Sequence, residues 1–366
     1  MGDAGGGGSH HRICRRLLRP IRRRREAGLS GVFVTGGNGF LGQALLKRLQ
    51  LEPDMRPVRA LARSRTNGEV VGGLGAEPVI GDVFDPGALL AGMEGCDVVF
   101  HVAGVNQMCS ADPSEMYRVN VVGAVNVVEA AAAAGVRRVV HTSSGATLGE
   151  GQGEVGSEST SHRGGFLSHY ERSKYQGERA VFQASKGTGV EVVSVNPSSV
   201  QGPGRVTGSA RLFLEYLNGT RRALVDTSLS LIDIDDCAEG HVLAANHGAA
   251  GERYVLSGAT LRLREMVALL DEITGLSTRP VFLPGWTASV AGAVGERVAK
   301  LSRKESQVCA ELVRTLRHGA RYDGSKAQRE LGLQYSPLSY TLRRTVEWYV
   351  EFGFVQRDLP SFPSRR

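Results

Sequence analysis

The chain has no apolar run long enough to cross a bilayer. Its longest, VFLPGWTASVAGAV at 281–294, is short and broken by Pro284 and Gly285, so no transmembrane segment is expected. No apolar core of a secretory signal is present either. Cysteine is sparse: Cys14, Cys96, Cys109, Cys237 and Cys309 are odd in number, widely scattered and without a CxxC pair. That pattern argues against a structural zinc site and a disulfide framework, and fits reduced thiols in a cytoplasmic protein. The nine histidines form no ligand spacing, so no metal is expected. No internal repeat or low-complexity segment follows residue 30.

The body also lacks charge of either sign in excess. All but one unit of the +7 net charge lies in residues 1–30, where eight arginines face only Asp3 and Glu26. A body so nearly neutral is not a nucleic-acid binder, and no specific nucleic-acid partner is expected. The tail is Gly-rich, then Arg-rich, with Pro20 interrupting any helix, and reads as disordered over 1–29. As a functional arm it would suit a polyanion or anionic lipid; as a plain extension it needs no partner. The remainder has the composition of a globular protein, 41% hydrophobic and 22% charged over 366 residues.

Past the tail, short β-branched runs alternate with helical patterns. GVFVT, VRALAR, EPVIGD, CDVVFHVAG, RRVVHTSS and EVVSVNPSS are the strands. FLGQALLKRLQ and VNVVGAVNVVEAAAAAG are the leading helices between them. That alternation predicts an α/β fold, a Rossmann-type doubly wound parallel sheet. After residue 200 the texture changes to QGPGRVTG, one strand in ALVDTSLSLIDI, and helices near 261–275, 305–317 and 339–353. The predicted organisation is a dinucleotide-binding domain over 30–200, a mainly substrate-binding smaller α/β domain over 201–356 and a flexible C-terminus over 357–366. Ligands of open α/β sheets bind beyond the strand carboxyl ends, so the second domain would close a cleft there.

VFVTGGNGFLGQALL runs a strand through Gly36, Gly39 and Gly42 into a helix. Those spacings supply a tight turn, a close approach to a pyrophosphate and close helix–strand packing, and the strand and helix flank them on the correct sides. Phe40, Leu41 and Val83 complete the set expected around the cofactor. The second strand ends in RALARSR, without the acid that would bond a free ribose 2′-hydroxyl. Arg63 there suits a 2′-phosphate, with Arg59 a weaker choice, so NADP(H) is expected with NAD(H) as the alternative. Asp82 is placed for an adenine amino group or for a helix cap, and Ala103 and Gly104 are small enough to lie under a cofactor. His101 reads as a packed core histidine. In HYERSKYQGE, Tyr170 and Lys174 lie one helical turn apart, which serves either a solvated helix face with Glu178 or a phenol–ammonium pair that moves a proton.

TGGNGFLG, GDVFDP, HVAG, VNVVGAVNVVEAA, HTSSGATLG, YERSK and VNPSSVQGPG occur in one order over residues 31–205. In them the chain resembles the extended short-chain dehydrogenase/reductases, the NAD-dependent epimerase/dehydratase family. YLNGTRRALVDTSLSLIDIDDCAEGH and GERYVLSG add a resemblance to the dihydroflavonol-reductase-like group, with its bacterial hopanoid-associated epimerase-like members. The resemblance implies an oxidoreductase with catalytic Ser144, Tyr170, Lys174 and Asn120, Lys174 also on the nicotinamide ribose, and Pro197 beside the carboxamide. It implies a small carbonyl or alcohol substrate, and a homodimer is an allowed assembly. Sugar-nucleotide members carry a proline and a small residue around the tyrosine and an arginine in the strand matching LSLIDIDD; LSHYERSK and Ser230–Leu231 depart from both. Arg205, Arg211, Arg221 and Arg222 nevertheless offer a diphosphate clamp, so a nucleotide-sugar epimerase with bound NAD is the alternative. A non-catalytic cofactor-binding scaffold is a third, opposed by the intact triad.

Overall fold

The computed structural model describes residues 31–284 and 309–362. The basic tail at 1–29, the first residues of the helix expected over 305–317 and the last four residues lie outside them. Six strands appear where the β-branched runs place them: β1 (Gly31–Thr35), β2 (Val58–Ala62), β3 (Glu77–Ile80), β4 (Cys96–His101), β5 (Arg138–Thr142) and β6 (Glu191–Pro197). With β10 (Arg253–Leu256) they form one parallel sheet in the order β10-β6-β5-β4-β1-β2-β3. Helices cover both faces, so both carry apolar side chains in alternation along each strand. Val32 and Val34 enter one core with Leu45, Leu46 and Cys237, while Phe33 enters the other with Leu89, Val127 and Val181.

The helices of this unit are α1 (Phe40–Leu49), α2 (Arg65–Gly73), α3 (Pro86–Met93), α4 (Ser114–Tyr117), α5 (Ala124–Ala134) and α6 (His169–Ser185). A single π-helical turn, Arg118–Gly123, joins α4 to α5 and carries Asn120. The Ala- and Val-rich sequence of α5 follows from its position, with Ala124, Val127, Val128, Ala130 and Ala131 all buried.

After β6 the chain leaves the sheet through β7 (Ser199–Gln201), α7 (Ser209–Leu217), β8 (Ala223–Val225) and β9 (Ser228–Asp233). The run expected to be one strand is therefore two. β8 pairs with β12 (Val281–Leu283), whereas β9 sits between β7 and β11 (Ala259–Arg262). The division at residue 200 also needs correction, because α8 (Ile234–His247) and β10 return to the first unit. Cys237, Ala238 and Val242 of α8 share a core with α1, and β10 pairs with β6. The smaller lobe then collects α9 (Leu263–Thr274), α10 (Ala310–His318) and α11 (Leu338–Glu351), with a third core of Leu270, Leu342, Val346 and Tyr349.

Two further expectations are overturned. Residues 357–362 are not loose, since Leu359 is 2% exposed within the third core and Ser361 N–H bonds the Thr274 carbonyl at 2.9 Å. The cysteines are not all free thiols: Cys109 and Cys309 form a disulfide across 200 residues, a pairing that no local spacing signals. Cys96 and Cys237 are buried thiols. Among the described residues no helix is long and apolar enough to cross a membrane.

Helix α6 packs closely against the π turn. A methyl group added at Gly177 would overlap the Asn120 carbonyl oxygen, whereas one added at Gly72, in α2, would meet nothing within 4 Å. Gly177→Ala should therefore cost about 1–3 kcal/mol in denaturant unfolding through overpacking, and Gly72→Ala should be neutral or mildly stabilising. Equal stability of the two variants would contradict this account of the α6 seat.

Candidate active site

Two of the three motif glycines are required by the fold itself. Gly36 has φ +74°, and a Cβ there would come within 2.6 Å of the Ala103 amide nitrogen. A Cβ at Gly42 would overlap the Gly36 carbonyl, so only glycine lets α1 start so close to β1. Gly39 differs: it is exposed, and its added Cβ would meet only the Gly36 carbonyl oxygen, at 3.2 Å. It is the N-cap of α1, with no side chain capping the helix and no acid in the first turn. Open amide donors and a missing side chain form a cradle for a phosphate. These residues fit a dinucleotide pyrophosphate.

The far wall is the turn after β4, held by Thr35, whose hydroxyl pairs with His101 Nδ1 at 2.8 Å and accepts from Ala103 N–H at 3.3 Å. Burial, with Lys174 adding to it, pulls His101 down to about 3, so this histidine is neutral and packed. Val83 is buried, Phe40 and Leu41 are partly so, and Asp82 turns one oxygen to the Phe84 N–H at 2.7 Å. The cap of α3 is instead Asp85, bonded to Ala88 N–H at 3.1 Å. At the end of β2, Arg63 is exposed and Ser64 caps α2. Arg59 is engaged elsewhere, with Glu77 at 3.3 Å and the Glu94 carbonyl at 2.5 Å.

The strand ends bring the chemistry together. Ser144 follows β5 and its Oγ accepts from Ala146 N–H at 3.3 Å. Ser168 caps α6 by accepting from Glu171 N–H at 3.1 Å, which orients the first turn carrying Tyr170. Burial raises the Tyr170 phenol above its ordinary value, opposed by a hydrogen bond with Ser144 and by the charge of Arg205. Lys174 is 6% exposed and donates to the Thr142 carbonyl at 2.6 Å. Burial pulls it down to about 8 against the pull of Glu178. The ammonium is thus turned toward the carboxyl end of β5.

Asn120, 2% exposed, accepts from Val105 N–H at 2.8 Å and donates to the Val105 carbonyl and Ser173 Oγ, each at 2.9 Å. Its side chain is fully occupied in holding the loop after Gly104 onto α6. A Cβ at Gly104 would lie 3.2 Å from Asn120 Oδ1 and 3.5 Å from Lys174 Nζ, so the bare backbone leaves space over both. Pro197 closes β6 opposite Leu256, buried.

Other contributors come from distant segments. Tyr322 packs on Gly145, directly after Ser144, so close that an added Cβ would come within 2.6 Å of its ring. The buried Glu178 carboxylate accepts from Asn196 at 2.6 Å and Ser194 at 2.9 Å and meets Arg253 at 2.9 Å. Of the four arginines considered for a clamp, Arg211 and Arg221 both pair with Glu215, at 2.8 and 2.5 Å, and Arg222 is exposed. Only Arg205 reaches the site. No pattern in GARYDGS marked Tyr322, whose role depends on a contact 177 residues away.

Comparison with known proteins agrees with this geometry. The model of the NAD dependent epimerase/dehydratase family matches residues 32–257. A Synechocystis protein with the provisional name dihydroflavonol 4-reductase is 35% identical over 332 residues, 88% of this chain and 96% of its own. A 2-alkyl-3-oxoalkanoate reductase of Shewanella oneidensis is 30% identical, covering 85% of this chain and 84% of its own. The crystal structure of gox2253 superposes with a TM-score of 0.79 at 29% identity, covering 89% of this chain and all of that one. DesIV of Streptomyces venezuelae, a dTDP-glucose 4,6-dehydratase with NAD and TYD bound, superposes with a TM-score of 0.70 at 25% identity over 89% of this chain and 99% of its own. The chain belongs to the NAD-dependent epimerase/dehydratase family of extended short-chain dehydrogenase/reductases, and is an oxidoreductase acting between CH–OH and carbonyl groups.

Proposed function

We propose that the protein is an NADP(H)-dependent reductase of a small carbonyl compound, acting in the cytoplasm. The observation that carries this reading is Lys174, buried one helical turn after Tyr170 and donating to the Thr142 carbonyl at the strand ends, beside the open Gly39 cradle. The reductase reading is favoured over a nucleotide-sugar epimerase because Arg211 and Arg221, two of the arginines a diphosphate clamp would use, are both engaged by Glu215.

A bound nicotinamide dinucleotide supplies the hydride. Gly36, Gly39 and the amino end of α1 would hold its pyrophosphate, Asp82 its adenine, Lys174 its nicotinamide ribose, and Pro197 would lie beside its carboxamide. Tyr170, kept protonated by burial, donates its proton to the substrate oxygen as charge develops there, and the Ser144 hydroxyl bonds the same oxygen. Arg205, near the phenol, favours the phenolate left behind.

Tyr170→Phe should abolish NADPH-dependent reduction of carbonyl substrates while leaving cofactor affinity within about twofold, since the lost hydroxyl serves the proton step. Near wild-type turnover in that variant would refute the assignment. For the wild type, kcat/KM for reduction should decline as pH rises through about 8, where Lys174 loses its proton. A profile flat well beyond that value would count against a protonated Lys174.

NADPH should bind more tightly than NADH, because the exposed Arg63 stands where an acid would repel a 2′-phosphate. A charge-assisted pair contributes about 1.5–3 kcal/mol, and exposure and salt should keep the effect near a tenfold preference. Titration of both cofactors into wild type and Arg63→Ala, at two ionic strengths, checks this. Tighter NADH binding by the wild type would remove Arg63 from the site.

A further inference from the structure

We propose that Arg205 is a substrate-recognition residue whose guanidinium holds a carboxylate carried by the substrate close to the carbonyl that is reduced. This deepens the reductase reading and rests on it for the reaction, though not for the anion site itself.

Arg205 is held from several sides. The turn at Gly204, φ +97°, folds the chain back so that Nη1 donates to the Val200 carbonyl and Nε to the Thr207 carbonyl at 3.3 Å. From the smaller lobe, the Tyr349 hydroxyl donates to the Arg205 carbonyl at 2.8 Å. From the glycine loop, Phe40 offers its ring 5.7 Å from the guanidinium carbon. The group is thereby suspended between cofactor cradle and substrate lobe, near enough to Tyr170 for each to shift the other's titration.

What it lacks is a counter-charge. Among the described residues no Asp or Glu bonds it, and the groups that favour its charged form are Tyr170, Tyr349 and Cys237. Other covered arginines are treated differently: Arg138 meets Glu191, Arg163 meets Glu171, Arg253 meets Glu178 and Arg344 meets Asp233. Two carbonyls satisfy donors but do not neutralise a partly covered cation, and binding an anion would supply the missing charge. The fork has little left to give beyond Nη2 and one Nη1 proton, which suits one carboxylate. A diphosphate would need the partners that Glu215 has taken.

The test uses the full chain, with NADPH reduction of β-, γ- and δ-keto octanoic acids beside their methyl esters. The same compounds are titrated calorimetrically into the NADP+ form. For at least one keto position the acid should exceed its ester in kcat/KM and in affinity by roughly tenfold or more. Arg205→Gln should bring that ratio near one, Arg205→Lys should keep part of it, and all three proteins should bind NADPH alike. A wild type that does not distinguish acid from ester overturns the proposal without any variant. Equal losses for acid and ester in Arg205→Gln also overturn it, as does a matching loss of NADPH affinity, which would assign Arg205 to the cofactor. Acid binding that depends on Arg205 with no turnover of any carbonyl would uphold the anion site and reject the reductase reading. Turnover of acids and esters alike would do the reverse.

Discussion

A backbone contact with no room for a methyl group, Gly177 against the carbonyl of Asn120, sets where α6, the helix of Tyr170 and Lys174, lies. With α6 seated there, Lys174 reaches the Thr142 carbonyl and passes beneath Gly104, and Ser173 closes the hydrogen bonds of Asn120. The π-helical turn makes this possible by placing Asn120 side chain and carbonyl on the same partner helix. Short-range packing thus fixes Tyr170 and Lys174 relative to the strand ends, which no side-chain chemistry alone would maintain.

The second lobe is more than a cover. Tyr322 backs the turn after Ser144, and Tyr349 steadies the Arg205 backbone. From α10, Glu311 accepts from His169 N–H at 2.8 Å and from Cys109 N–H at 3.3 Å, while Arg314 donates to the Leu167 carbonyl at 2.9 Å. The start of α6 is therefore held by residues of the smaller lobe, and the Cys109–Cys309 bridge joins the same two regions.

Burial controls the electrostatics. It keeps Tyr170 protonated, pulls Lys174 down and keeps His101 neutral, so the site offers one acid and limited positive charge. Much of the remaining charge lies behind it in matched pairs such as Arg253–Glu178 and Arg163–Glu171. Arg205, with no Asp or Glu bonded to it among the described residues, breaks that pattern.

Local sequence was enough for the sheet and the glycine turn that follows β1, because both depend on interactions between near neighbours. The alternation of Val32, Phe33 and Val34 between two cores is a period-two pattern. Gly36 and Gly42 are needed by a turn and helix a few residues long. The one-turn spacing of Tyr170 and Lys174 is likewise a property of a single helix. Tertiary structure alone decided that Arg59 is already engaged, that Glu215 takes Arg211 and Arg221, that β10 returns to the sheet and that Cys109 finds Cys309. Most of these join residues from separate elements, and the partner of a charge or a thiol is set by where the chain folds back rather than by its neighbours along it.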